Sequence, residues 1–206
     1  MTKFMPPEIP PLIWNFPNLL SGFRLVLAVV LFVALGLEEY WVSLGVFLMA
    51  CGTDWLDGWY ARRYGQITFL GRILDPFADK VIICGAFIFL LAARPLVEMP
   101  WGLRPWMVVV IVAREMFVTA LRSFLEQQRV DFSAKRSGKW KMFLQSVAIT
   151  AALAYLAWPG SLKENPCFTW AVVLSLWAAV VQTVLSGLLY ALRAYYLLTF
   201  PTPFRR

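Results

Sequence analysis

Histidine is absent from this 206-residue chain, cysteine occurs three times, and only 15% of the residues are charged, against about 25% in ordinary soluble domains. The first absence removes the commonest general base and the commonest transition-metal ligand, so any proton transfer must come from carboxylates, lysines or tyrosines. Cys51, Cys84 and Cys167 show neither CxxC spacing nor local pairing, which excludes a zinc site and a disulfide framework and leaves them as small packing residues. The chain also lacks internal repeats and low-complexity linkers. In place of charge there is 60% apolar content and a mean hydropathy of +0.66, the composition of a membrane chain. The net charge of +7 does not point to nucleic acid, because several basic residues lie inside or beside apolar spans that a duplex could not reach. Anionic lipid phosphates are the expected partners.

Hydropathy predicts an all-α integral membrane bundle of six spans at about 19–38, 41–61, 74–93, 103–125, 141–158 and 168–192. No segment between spans is long enough for a second domain, so residues 1–206 are expected to form one membrane domain. Residues 1–18 would be a short interfacial segment, because prolines interrupt Ile13, Trp14 and Phe16 and no signal-peptide order is present. The spans would fill 19–199, with 200–206 as a tail. One set of connections holds Lys3, Arg62, Arg63, Arg72, Arg129, Lys135, Arg136, Lys139, Lys141, Arg205 and Arg206, and the other only Arg94, Arg104 and Lys163. That asymmetry predicts a multi-pass protein of the cell inner (cytoplasmic) membrane, with both termini and the active site facing the cytoplasm. Trp101, Trp106, Trp140, Trp158 and Tyr195 fall near span ends and read as headgroup-level anchors.

Against this apolar background four aspartates stand in or beside the second and third spans. A charged aspartate near the centre of a span costs roughly 2.5–3.5 kcal/mol, so something must neutralise them. Asp54 and Asp57 are three residues apart and Asp75 and Asp79 four apart, so each pair lies on one helix face. If the segment from Arg62 to Gly71 turns the chain back, the two pairs face one another and form an all-oxygen site with charge enough for two Mg2+ or Mn2+ ions. Gly58 and Ala61 are small where a pyrophosphate needs close backbone approach, Gly71 repeats this on the next helix, and Arg62 offers a fork that matches phosphate. The alternative for such carboxylates is an ion pair or a transporter's cation path, but the second half of the chain carries no matching aspartates. Lys80 reads as a snorkelling or charge-balancing residue.

Together these residues spell DxxDGxxAR, eight residues, GxxxDxxxD, which resembles the signature of the CDP-alcohol phosphotransferase family at every fixed position. The resemblance implies a six-helix membrane transferase, a homodimer, with Asp54, Asp57 and Asp75 as metal ligands and Asp79 as both a ligand and the base that activates an acceptor hydroxyl. It also implies that Gly58, Arg62, Thr68 and Gly71 contact the CDP group of the donor, with Asn18 and Ser21 of the first span closing over it.

The acceptor is read from the fourth span, where Arg114, Glu115, Thr119 and Arg122 form one polar stripe. AREMFVTALRSFL, NFPNLLSGFR and SGKWKMFLQ resemble the corresponding segments of the family's phosphatidylglycerophosphate synthases. This implies CDP-diacylglycerol as donor and sn-glycerol 3-phosphate as acceptor, the acceptor's phosphate held by Arg114, Thr119, Arg122, Lys139 and Lys141. The competing reading pairs Arg114 with Glu115 and leaves the lysines as topology markers. From Ser123 to Lys135 the sequence departs from the synthase pattern, which keeps open another acceptor, phosphatidylglycerol or an inositol phosphate. Residues from Cys167 onward carry no legible chemistry.

Overall fold

The computed structural model describes the backbone of residues 16–64, 69–127, 137–158, 160 and 165–199, and the side chains of these except 16–18, 54–64, 69–73, 126–127, 137–140 and 197–198. Seven helices and no strand occur among the described residues: α1 (Phe16–Gly36), α2 (Tyr40–Tyr64), α3 (Phe69–Leu90), α4 (Arg94–Glu98), α5 (Pro105–Gln127), α6 (Ser137–Ala157) and α7 (Pro166–Thr199). Each of the six expected spans overlaps one long helix, four of them overrunning a helix end by one to three residues; the short α4 between the third and fourth is an addition. Pro105 and Pro166 open α5 and α7, where a missing N–H costs nothing because the first turn has no acceptor for it.

The turns opposite the signature are tight. At the end of α1 the N–H of Glu39 reaches the Ala34 carbonyl at 2.9 Å and that of Glu38 reaches Leu35 at 3.1 Å, a Schellman closure. Its left-handed position is filled by Glu38 at φ 60°, not by glycine. Trp101 is also left-handed, and its carbonyl accepts from the indole N–H of Trp177 at 3.0 Å. Gly102 follows by necessity, since a Cβ there would lie 2.1 Å from the Leu96 carbonyl oxygen. Trp101 and Trp106 both meet Trp177 edge-on, and Trp41 of α2 meets Trp158 at the end of α6. The side chain of Trp140 lies outside the described residues.

The packing closes into a ring. α1 contacts α2 and α3, α2 contacts α6, α6 contacts α7, α7 contacts α5, and α5 returns to α3, with α3 also touching α6 across the middle. The core runs through every helix, from Leu31 and Phe47 through Phe87, Leu96 and Ile111 to Leu153 and Val172. The outside is equally apolar: Val26, Val29, Val33, Leu48, Val109, Leu174, Leu188 and Leu192 are all exposed. A water-facing surface does not carry such a continuous apolar coat, whereas lipid is indifferent to it. Among the described residues, Leu19–Gly36 of α1 and Pro166–Tyr196 of α7 are long and apolar enough to cross a membrane. Shorter apolar stretches cover Tyr40–Thr53 of α2 and Lys141–Ala157 of α6.

Candidate active site

α3 carries opposite chemistries on two of its faces. Asp75 and Asp79, one turn apart, look toward α1: the Ser21 hydroxyl donates to Asp75 Oδ1, and Arg24 Nη1 donates to Asp79 Oδ1 at 2.7 Å. Ser21 and Arg24 are themselves three residues apart on α1, so one seam between two helices lines up both contacts. Arg24 is 1% exposed and the Asp79 side chain 25% exposed. A buried guanidinium is expensive unless paired, and Asp79 supplies the pairing. Pro76 sits inside α3 next to Asp75.

The other half of the signature is held by α2, which runs as one helix through Asp54, Asp57, Gly58, Ala61 and Arg62; these side chains lie outside the described residues. Those of Asn18 and Lys139 do too, as do Gly71's surroundings and Thr68 altogether. The four residues between α2 and α3 let their facing ends stand no more than about 18 Å apart. The facing ends of both motif helices thus lie at the same end of the bundle, and both helices pack on α1. No group of three or more metal-ligating side chains occurs among the described residues. The described donors suit a hard divalent cation: Ser21, Asp75 and Asp79 offer only oxygen, and Arg24 marks Asp79 as a position that takes a positive charge.

Roughly a quarter turn round α3 from Asp79, Lys80 and Cys84 face α5 and α6. The Lys80 ammonium donates to the Pro76 carbonyl at 3.2 Å and stands in electrostatic range of Asp79, Glu115 and Arg122. Glu115, 6% exposed, is the hub of this region: its Oε1 accepts from Lys141 Nζ and, at 3.2 Å, from Arg114 Nη1. Arg114 lies over the Tyr190 ring of α7, 5.6 Å from its centroid, and packs on Gly187, where a Cβ would come within 3.0 Å of its Cγ. The Thr119 hydroxyl donates back to the Glu115 carbonyl at 2.6 Å. The Nε atoms of Arg114 and Arg122 are buried without a hydrogen-bond partner among the described residues. Below the cluster, Gln145 of α6 donates to Thr183 of α7 at 3.1 Å, fastening the two helices behind it.

A carboxylate seam beside a basic cluster at one end of a helical bundle suits transfer of a phosphate-linked group, and comparison with known proteins agrees. The family model described as CDP-alcohol phosphatidyltransferase matches residues 14–188. The chain belongs to this family. It is 38% identical over 143 residues to a CDP-diacylglycerol–glycerol-3-phosphate 3-phosphatidyltransferase of Bacillus subtilis (strain 168), covering 69% of this chain and 67% of that one. A protein of the same name from Salmonella choleraesuis (strain SC-B67) is 34% identical over 182 residues, covering 86% and 93%. A third, from Rickettsia felis (strain ATCC VR-1525 / URRWXCal2), is 32% identical over 180 residues, covering 85% and 93%.

In this CDP-alcohol phosphatidyltransferase, three residues to which the sequence assigns no ligand or catalytic role make charged contacts beside the site, and the Arg114–Glu115 pair is one that the sequence offers as an alternative. Arg24 had one sequence signal, a lone charge in the most apolar helix. Glu115 was seen only as one member of a stripe, though it is where that stripe meets α6. Lys80 follows Asp79 directly, so its sequence position did not tell which face of α3 it served. α7, with no motif of its own, contributes Gly187 and Tyr190 to the seating of Arg114.

Proposed function

We propose that the protein transfers the phosphatidyl group of CDP-diacylglycerol to sn-glycerol 3-phosphate, giving phosphatidylglycerophosphate and CMP. The observation that carries this reading is the division of α3, with Asp79 paired on the α1 side and a cation-rich cluster beginning one residue later on the α5 and α6 side. The names of the relatives support the same donor and acceptor.

In the reaction, the primary hydroxyl of glycerol 3-phosphate gives its proton to the Asp79 carboxylate as its oxygen bonds to the phosphorus on the diacylglycerol side of the pyrophosphate. The bond from that phosphorus to the bridging oxygen breaks, and CMP leaves with the oxygen and its electron pair. Asn18, Ser21, Gly58, Ala61, Arg62, Thr68 and Gly71 are assigned to the CDP group, and Arg114, Thr119, Arg122, Lys139 and Lys141 to the acceptor's phosphate. Glu115 holds Arg114 and Lys141 in place, so the anion meets side chains already ordered. Asp54, Asp57, Asp75 and Asp79 would hold two Mg2+ or Mn2+ ions, whose contribution is to offset negative charge on the pyrophosphate oxygens. The six long helices are read as six spans in the cell inner (cytoplasmic) membrane, termini and site on the cytoplasmic side, with two copies forming a homodimer.

The test is an acceptor panel: detergent-purified protein with CDP-diacylglycerol and glycerol 3-phosphate, glycerol, phosphatidylglycerol or an inositol phosphate, following CMP. Release with glycerol 3-phosphate alone is the expected result. Equal use of glycerol, or release only with another acceptor, would overturn the assignment.

A further inference from the structure

Thr183, Gly187 and Tyr190 follow one another at steps of four and three along α7, so they share one face, and each meets a different partner there. Thr183 accepts from Gln145, which stands one turn after Lys141 on α6. Tyr190 is buried together with Val118 and Leu125 of α5. Gly187 lies between these two fixed points. A Cβ there would come 3.0 Å from Arg114 Cγ and 3.9 Å from Arg114 Nε, and among the described residues it would meet no other atom within 4 Å. Close helix approach, the usual reason for glycine inside a membrane bundle, would set a neighbouring backbone opposite it. Here the space is taken by the stem of one arginine.

Arg114 is held from three sides. Gly187 leaves room for its stem, the Tyr190 ring centroid lies 5.6 Å from its Cζ, and Glu115 Oε1 takes Nη1 at 3.2 Å. Its side chain is 9% exposed, and Nε is buried without a hydrogen-bond partner among the described residues. A long side chain that is ordered before its anion arrives gives up little freedom on binding it.

We propose that Gly187 and Tyr190 are positioning residues for the acceptor's phosphate, acting through Arg114. This rests on the proposed phosphatidyl transfer, with Arg114 assigned to that phosphate, and deepens it. A helix with no motif of its own sets how tightly a phosphate-bearing alcohol is held, while the CDP group, assigned to residues between 18 and 71, does not depend on it.

The experiment compares the parent with Gly187→Ala, Tyr190→Leu and Tyr190→Phe, measuring KM for both substrates. It repeats the substitutions beside Arg114→Met, following the glycerol 3-phosphate dissociation constant by calorimetry, a readout that needs no turnover. Tyr190→Leu should raise the glycerol 3-phosphate KM about threefold to thirtyfold, the range of a desolvated contact between a cation and a ring, and Tyr190→Phe, which keeps the ring, should keep most of the affinity. Gly187→Ala should raise the same constant on the order of tenfold by pushing Arg114 off its seat, although alanine is the better helix former. The CDP-diacylglycerol KM should stay near the parent's in all three. Beside Arg114→Met, the same substitutions should leave the glycerol 3-phosphate dissociation constant unchanged, because no guanidinium is left to position. An active parent whose Gly187→Ala and Tyr190→Leu variants keep the parent's acceptor constants, or lose affinity by the same factor with and without Arg114, would overturn the role of α7. A parent inactive with glycerol 3-phosphate would instead defeat the proposed function.

Discussion

Replacing Arg24 by methionine removes the guanidinium from Asp79 while keeping most of the aliphatic bulk that α1 buries. Breaking a buried ion pair by deleting one partner costs about 3–5 kcal/mol, because the survivor is left with an uncompensated charge. Here the survivor is Asp79, whose side chain is 25% exposed, so water relieves part of the penalty and the lower end, about 3 kcal/mol, is expected. For a chain of this size that corresponds to a fall in melting temperature of roughly 6–12 °C. The assay is thermal unfolding in detergent with EDTA present, for the parent, Arg24→Met, Arg24→Lys and the double variant Arg24→Met/Asp79→Asn. Arg24→Lys should recover at least half of the loss, and the double variant should be more stable than additivity allows, since removing both charges leaves none stranded. If Asp79 is a cation ligand, saturating Mg2+ should narrow the gap between parent and Arg24→Met by stabilising the folded form that binds it. A single variant within about 0.5 kcal/mol of the parent, the size of an ordinary surface change, would refute the claim that this pair neutralises Asp79.

Asp54→Asn, Asp57→Asn and Asp75→Asn should each abolish CMP release while leaving folded protein, and EDTA should do the same reversibly; near-parent turnover in any two at saturating Mg2+ would remove the two-ion site. Asp79→Asn should still bind CDP-diacylglycerol in calorimetry but fail to transfer, because a base acts on the acceptor's proton and not on the donor; matched loss of binding and rate would make Asp79 a purely structural ligand. Arg122→Met should raise the glycerol 3-phosphate KM about tenfold to hundredfold with the donor KM little changed, and Arg122→Lys should recover only part, an ammonium lacking the planar fork; an unchanged acceptor KM would take Arg122 out of the phosphate site.

How much was legible in the sequence follows from the range of each interaction. Six helices could be read from apolar runs because a chain in lipid must satisfy its backbone groups within each segment, a requirement that every run of about 20 apolar residues meets by itself. The same local rule placed Asp75 and Asp79 on one face of α3, and Asp54 and Asp57 on one face of α2. It gave no notice of α4, whose turn depends on Gly102 fitting against the Leu96 carbonyl, or of a left-handed Trp101 whose carbonyl accepts from Trp177 in another helix. Spacing along one helix cannot say which neighbour a face will meet. Residues and motif alone determined that the carboxylates would stand on two consecutive helices, with Asp75 and Asp79 one turn apart on α3. Only the ring of helices decided that Asp79 would meet Arg24, 55 residues away, and that Glu115 would take Lys141, 26 residues on. Only the ring, too, brought Lys80 of α3 into electrostatic range of Glu115 on α5, because a charge finds its partner through packing in space, and packing is a property of all the helices at once.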